Sequence, residues 1–200
     1  MKVLEPKDFN KKYFSSGGYD EYETDVASWI SIMARLIKRC LKNGKKRPRV
    51  LDAGCAHGYL IAELQNKYGA DVAGLEYSDF AIQRADKTVR SKIKQGSILT
   101  AIFPRNSFDA VVCLDVFSYF AEKEVERAAK QLSGWTNKFI FFSSIYRHSR
   151  HASQKRNPDE LRKTTLTQKE YIDMFRDAGV KFIGKRNIGN GGDILIFKKQ

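Results

Sequence analysis

Apolar side chains follow a helical period over residues 23–41, where Val26, Trp29, Ile30, Met33, Ile37, Cys40 and Leu41 recur at steps of three and four before an Asn43-Gly44 stop. That spacing predicts an amphipathic helix. Residues 49–53 and 71–76 are short strand-like runs, and the pattern between and after them predicts helices over 58–68 and 79–89. Residues 108–116 (FDAVVCLDV) and 138–145 (KFIFFSSI) are nearly continuous apolar runs, the mark of strands covered on both faces. A helix is predicted over 122–132 between them, and another over 168–178, closed by Gly179. The last two strand-like runs, 180–186 and 193–198, are separated only by NIGNGG, too short for a helical crossover, so they must pair antiparallel. The whole predicts an α/β fold: a doubly wound, mostly parallel sheet with an antiparallel C-terminal edge hairpin and helices on both faces.

Composition narrows the class. A length of 200 residues fits one domain, with 42% hydrophobic residues, 30% charged residues and four prolines, which excludes disordered and fibrous chains. Within it, residues 1–44 hold an N-terminal segment and helix, 45–145 a core, 146–166 a basic loop, and 167–200 the last helix and edge strands. No apolar run approaches the roughly 20 residues that span a bilayer. The opening MKVLEPKDFNKKYF lacks the apolar stretch of a signal peptide, so no membrane association and a cytoplasmic location are expected. Cys40, Cys55 and Cys113 are too few and too scattered for a disulfide framework or a four-ligand zinc site. His148 and His151 are three apart with no third ligand in view, so no metal is expected.

Charge changes the picture further. Lysine and arginine total 36 against 23 acids, a formal net charge of +13, and the stretch 38–49 holds seven basic residues and no acid. Such an excess suits an anionic partner, either a small molecule or RNA, although charge runs are commonly solvated faces. No zinc-finger or RRM signature and no arginine-rich tail accompanies it.

The chemistry concentrates in VLDAGCAHGYL, where a buried strand delivers a loop whose Gly54, Ala56 and Gly58 permit close approach of a ligand before a helix starts. Glu76 ends the next strand about 20 residues later, where a doubly wound fold sets a carboxylate against ribose hydroxyls. A dinucleotide fingerprint requires glycine where Ala56 and Tyr59 stand, so NAD and FAD are disfavoured, and no Walker pattern is present.

Over residues 48–145 the chain resembles the Rossmann-like class I S-adenosylmethionine-dependent methyltransferases. Asp52, Gly54, Ala56 and Gly58, with Cys55 inside the loop, match the family's acidic residue and glycine motif, alanine replacing the middle glycine. The resemblance implies that Glu76 meets the adenosine ribose, that Tyr77 packs on adenine, and that Ser97 and Ile98 lie at the adenine edge. It sets Asp115 and Val116 at the strand end facing the cofactor, and Tyr119 where many small-molecule members carry histidine. S-adenosyl-L-methionine is the implied cofactor.

The implied reaction is an in-line methyl transfer in which positioning and exclusion of water dominate. Tyr146, His148 and Tyr119 are candidate bases, and His57 is expected to shape the cofactor pocket. The resemblance makes the N-terminal segment, with a hinge at Ser15-Ser16-Gly17-Gly18, a lid that brings Tyr13 near the cofactor. Residues 147–163, with six basic and two acidic residues, form a candidate cationic substrate loop. The expected acceptor is a small molecule or a modified peptide or sugar, anionic and methylated at oxygen. RNA methylation is the rival, disfavoured because neither a Pro-Cys dipeptide nor an N-P-P-Y type motif is present, and a catalytically silent partner subunit is a further alternative.

Overall fold

A computed structural model describes residues 4–15, 22–42, 46–148, 159–189 and 192–200, with side-chain detail for the first helix beginning at residue 29. Seven strands form one sheet in the order β3-β2-β1-β4-β5-β7-β6. β1 (Arg49–Ala53), β2 (Asp71–Glu76), β3 (Ile93–Gln95), β4 (Phe108–Leu114) and β5 (Thr136–Ser143) run parallel, and β7 (Asp193–Lys199) is antiparallel to both β5 and β6 (Val180–Asn187). The edge hairpin therefore forms as the short NIGNGG link requires, with its second strand inserted beside β5.

Alternation along the central strands builds two cores, because successive side chains leave a strand on opposite faces. Val50, Val112 and Phe141 meet α1 (Tyr22–Leu41) and α2 (Tyr59–Tyr68) through Met33, Ile37 and Leu64. Leu51, Val111 and Phe142 meet α4 (Glu122–Trp135) and α5 (Gln168–Asp177) through Leu132, Tyr171 and Phe175. Burial on both faces explains why these strands read as continuous apolar runs. Among the described residues no helix is long and apolar enough to cross a membrane.

One expected helix is much shorter. α3 covers only Asp79–Gln83, not 79–89, because the chain beyond it satisfies its polar groups otherwise. The Asp86 carboxylate accepts the Thr88 amide at 2.8 Å and the Thr88 hydroxyl at 2.6 Å, a local turn that competes with helix. The Asp86 amide is drawn away to the His57 carbonyl at 2.9 Å, and the Arg90 guanidinium covers the Ala85 carbonyl.

β1 lies between β2, reached on one side, and β4, reached on the other. Ligands in such sheets sit in the crevice outside the carboxyl ends of the strands at this reversal. Asp52, Glu76, Asp115 and Ser143 all stand at or just beyond those ends.

Candidate active site

The loop after β1 is held from behind by β2. The Leu75 carbonyl accepts the Gly54 and Cys55 amides at 2.7 and 3.2 Å, and the Glu76 carboxylate accepts the Ala56 amide at 2.7 Å. The other Glu76 oxygen accepts the Tyr77 and Ser78 amides, each at 2.8 Å. Gly54 has φ +92°, and a Cβ there would fall 2.2 Å from Val116 Cγ2, so two separate constraints demand glycine. Gly58 starts α2 from φ +73° and faces Val89 and Ile93 behind the loop, outside the ligand cavity.

A cavity of about 1230 Å³ opens over the strand ends. Asp52, Gly54, Cys55, Ala56, Glu76 and Tyr77 line it at the ends of β1 and β2, and Ser97 and Ile98 continue that wall. The Ser97 hydroxyl is engaged in its own turn, accepting the Leu99 amide at 3.2 Å. Asp115 follows β4 in a left-handed conformation, φ +57°, which aspartate tolerates better than most residues. Its amide donates to the Ser143 carbonyl and its carboxylate accepts the Ser143 hydroxyl, both at 3.0 Å, fixing the two central strand ends together.

Asp52 is only 5% exposed and accepts no hydrogen bond or ion pair among the described residues. Burial first, and then the charge of Glu76, push its carboxyl up to about 7. Burial raises Glu76 also, against the opposing effect of its three amide donors. Cys55 and Cys113 are pushed far above the ordinary thiol range by burial and by Asp52, so both are inert thiols.

Two covers close the cavity. The N-terminal segment is moored on the loop after β2: the Tyr77 hydroxyl donates to the Leu4 carbonyl at 3.1 Å, and the Ser78 hydroxyl to the Phe9 carbonyl. Phe9 meets Tyr77, Tyr13 and Tyr119 edge-on, with centroids 6.1, 5.1 and 5.3 Å away. Val116 supports the same region, and the Tyr13 and Tyr119 hydroxyls are 2.6 Å apart. The second cover follows β5, where the Lys163 and Thr164 amides donate to the Ser118 carbonyl at 2.7 and 3.1 Å. From this cover Asp159 accepts the Tyr119 hydroxyl at 2.7 Å.

Tyr146, a candidate base in the sequence, lines the cavity with its hydroxyl already engaged. Its hydroxyl donates to the Asp193 carbonyl at 3.1 Å, and burial, reinforced by Asp115, raises its phenol far above the ordinary range. His148 stands exposed at the rim with φ +68°. His57 packs behind the loop, its ring 5.2 Å from Phe14 and 5.7 Å from Tyr59, and it does not line the cavity. The Ser16-Gly17-Gly18 part of the hinge and the basic residues Arg150, His151, Lys155 and Arg156 lie outside the described residues.

Sequence reasoning missed Asp159, Trp29 and the hairpin tip, where Ile188, Gly189 and Asp193 wall the cavity. The tip carried a signal in the length of its strands, because β6 and β7 run far enough to bring Ile188, Gly189 and Asp193 to the cavity beyond the carboxyl end of β5. Asp159 carried none, being one acid within a basic stretch.

Residues 50–138 match the family described as a methyltransferase domain. Sterol 24-C-methyltransferase of Neurospora crassa is 36% identical over 78 residues, which are 36% of this chain and 21% of that one. The chain thus spans about a fifth of the length of the sterol methyltransferases it matches. Phosphoethanolamine N-methyltransferase of Plasmodium falciparum is 22% identical over 94% of this chain and 69% of its own. Among solved structures, magnesium protoporphyrin IX methyltransferase of Synechocystis with bound S-adenosylhomocysteine superposes with a TM-score of 0.72 at 15% identity, over 95% of this chain and 98% of that one. The seven-stranded sheet shares the fold of that structure, and within it residues 50–138 match the methyltransferase-domain family.

Proposed function

We propose that the chain transfers a methyl group from S-adenosylmethionine to a small-molecule acceptor held beneath the two covers. The observation that carries this reading is the cavity itself. At about 1230 Å³ it exceeds the roughly 300–1,000 Å³ of a pocket for one drug-sized ligand, and it runs from the glycine loop past Asp115 to Lys163. Cofactor and acceptor both have room.

The residues present fit the cofactor. A buried carboxylate without a partner, Asp52, suits a ligand that carries positive charge, and the loop at Gly54, Cys55 and Ala56 presents only small residues to the cavity. S-adenosylmethionine supplies an electrophilic methyl group on its sulfonium. The chain's own part is positional: Glu76 and Asp52 hold the cofactor side, Asp115 with Ser143 fixes the facing strand ends, and the covers exclude water.

An anionic group elsewhere on the acceptor fits Lys163. Its main chain is fixed to Ser118 and its ammonium has no carboxylate partner among the described residues. RNA is the less suitable acceptor, because a base would have to pass both covers, although the net charge of +13 favours it. Calorimetry with S-adenosylhomocysteine, followed by labelled-methyl transfer to phosphoethanolamine, an amino sugar and a structured RNA, tests the reading. Transfer to a small molecule is expected; no affinity for the cofactor product, or transfer to RNA alone, would overturn it.

A further inference from the structure

Resting on that reading, we propose that the acceptor is an amphipathic anion, with an apolar body seated against Trp29, Leu114 and Ile188 and an oxyanion, carboxylate or phosphate, held by Lys163.

The two layers of the fold give the cavity two unlike sides. Trp29, Ile30, Leu114 and Ile188 belong to the apolar layer that α1 and α2 build on one face of the sheet, and all four line the cavity. Trp29 and Leu114 are only partly buried there, so apolar surface faces the cavity above that layer. Covering it with an apolar ligand is favourable in proportion to the area removed from water.

Polar groups of the adjoining hairpin are engaged with one another. The Asp193 carboxylate accepts from Asn187 at 3.1 Å and from Gln168 and Lys185 at 3.0 Å each, and its carbonyl accepts the Tyr146 hydroxyl at 3.1 Å. A ligand on this side meets hydrogen-bonding groups already paired, and gains chiefly by apolar contact.

The other side rests on the opposite layer. Phe120 and Leu166 belong to the core that α4 and α5 build, and the second cover lies on it, with the Thr164 hydroxyl donating to the Phe120 carbonyl at 2.8 Å. Lys163 is fixed there through its amide bond to the Ser118 carbonyl, lines the cavity, and has no carboxylate partner among the described residues. Arg147 differs, because its guanidinium donates to the Thr165 carbonyl at 3.1 Å and lies 3.7 Å from the Glu170 carboxylate. An ammonium on a flexible stem meets an oxyanion as a compact point charge. The end of β4 lies between the two layers, so a ligand that touches both sides crosses the strand ends beneath the covers. A short polar anion would leave the apolar side wet. An uncharged apolar molecule would leave Lys163 unpaired.

The full chain, saturated with S-adenosylhomocysteine, is titrated with butanoate, octanoate, n-octyl phosphate and 1-octanol and followed by ligand-observed NMR. Octanoate should bind at least about tenfold tighter than butanoate, within the ceiling of about fourfold per methylene buried. At least one of the two octyl anions should bind about fivefold or more tighter than octanol, and the tighter of them identifies the oxyanion. Trp29→Ala should shrink the ratio of octanoate to butanoate affinity by about threefold or more. Lys163→Gln keeps the amide bond to Ser118, and should bring the preferred anion to within about twofold of octanol with octanol affinity unchanged. Should Trp29→Ala fail to fold, the chain-length series and Lys163→Gln carry the test. Equal affinity for butanoate and octanoate, octanol matching both anions, or full anion preference retained by Lys163→Gln each overturns the amphipathic anion while leaving cofactor binding intact. No binding of S-adenosylhomocysteine overturns the methyltransferase reading and this inference with it.

Discussion

The carboxylate of Glu76 holds Ala56 in a left-handed conformation: it accepts the Ala56 amide at 2.7 Å, and φ at Ala56 is +46°. Alanine pays about 1–2 kcal/mol for that geometry, and the charge-assisted bond offsets it. Glu76 therefore builds the loop before it meets any ligand. Glu76→Ala should lower the stability of the ligand-free protein by about 2–4 kcal/mol, because three amides lose a charged acceptor, and should weaken cofactor binding as well. Denaturant unfolding without cofactor checks this. Unchanged stability would reduce Glu76 to a ligand contact only.

Asp52 gives the stability a pH dependence. Its ordinary value is 3.8 and its folded value is about 7, so over that window the folded protein retains a proton that the unfolded chain releases. The stabilisation is complete below about pH 4 and is lost as pH rises through about 7, a change on the order of a few kcal/mol. Asp52→Asn should flatten this slope in urea titrations between pH 5 and 8. Cofactor binding near pH 7 should also release a proton in the wild type, seen calorimetrically as a binding heat that varies with the ionisation heat of the buffer. A pH slope identical in both proteins would exclude Asp52 as its source.

Gly54 and Val116 form a coupled pair. Gly54→Ala should cost about 2–5 kcal/mol, combining overpacking against Val116 Cγ2 with a methyl side chain at φ +92°. Adding Val116→Ala should recover the packing share and leave about 1–2 kcal/mol of backbone strain. A double-mutant cycle with no coupling would contradict the close approach.

The sequence was legible where the chemistry is periodic or local. β1 and β2 fall where strand-like runs placed them, because burial on both faces imposes a continuous apolar pattern. β3 was not read, since Ile93–Gln95 is a three-residue edge with two exposed polar side chains, and its strand character comes from pairing with β2. The glycine loop was legible through spacing, but the reason for Gly54 was not, because Val116 reaches it from just beyond β4, about 60 residues on. Likewise the bond from Tyr119 to Asp159 joins residues 40 apart whose meeting depends on how the second cover lies over β4. Helix α3 was overextended because an Asp-Lys-Thr turn carries apolar neighbours that mimic a helical period.

The N-terminal cover and the side of the cavity proposed for the cofactor share one residue, Tyr77, whose two roles separate by mutation. Its hydroxyl moors Leu4 at 3.1 Å, whereas its ring lines the cavity. Tyr77→Phe keeps the ring and removes the mooring, so it should speed release of S-adenosylhomocysteine about fivefold, the equivalent of one hydrogen bond near 1 kcal/mol, through easier opening of the cover. Tyr77→Ala removes both, and should lose a further 1–3 kcal/mol of affinity, roughly the value of one base stacked on an aromatic ring. Stopped-flow fluorescence can follow release, since Trp29 lines the cavity while Trp135, the last residue of α4, is buried in the core against Phe103. If Tyr77→Phe releases the product at the wild-type rate, the mooring to Leu4 does not gate the site, and the bonds from Ser78 to Phe9 and from Tyr13 to Tyr119 must hold the cover without it.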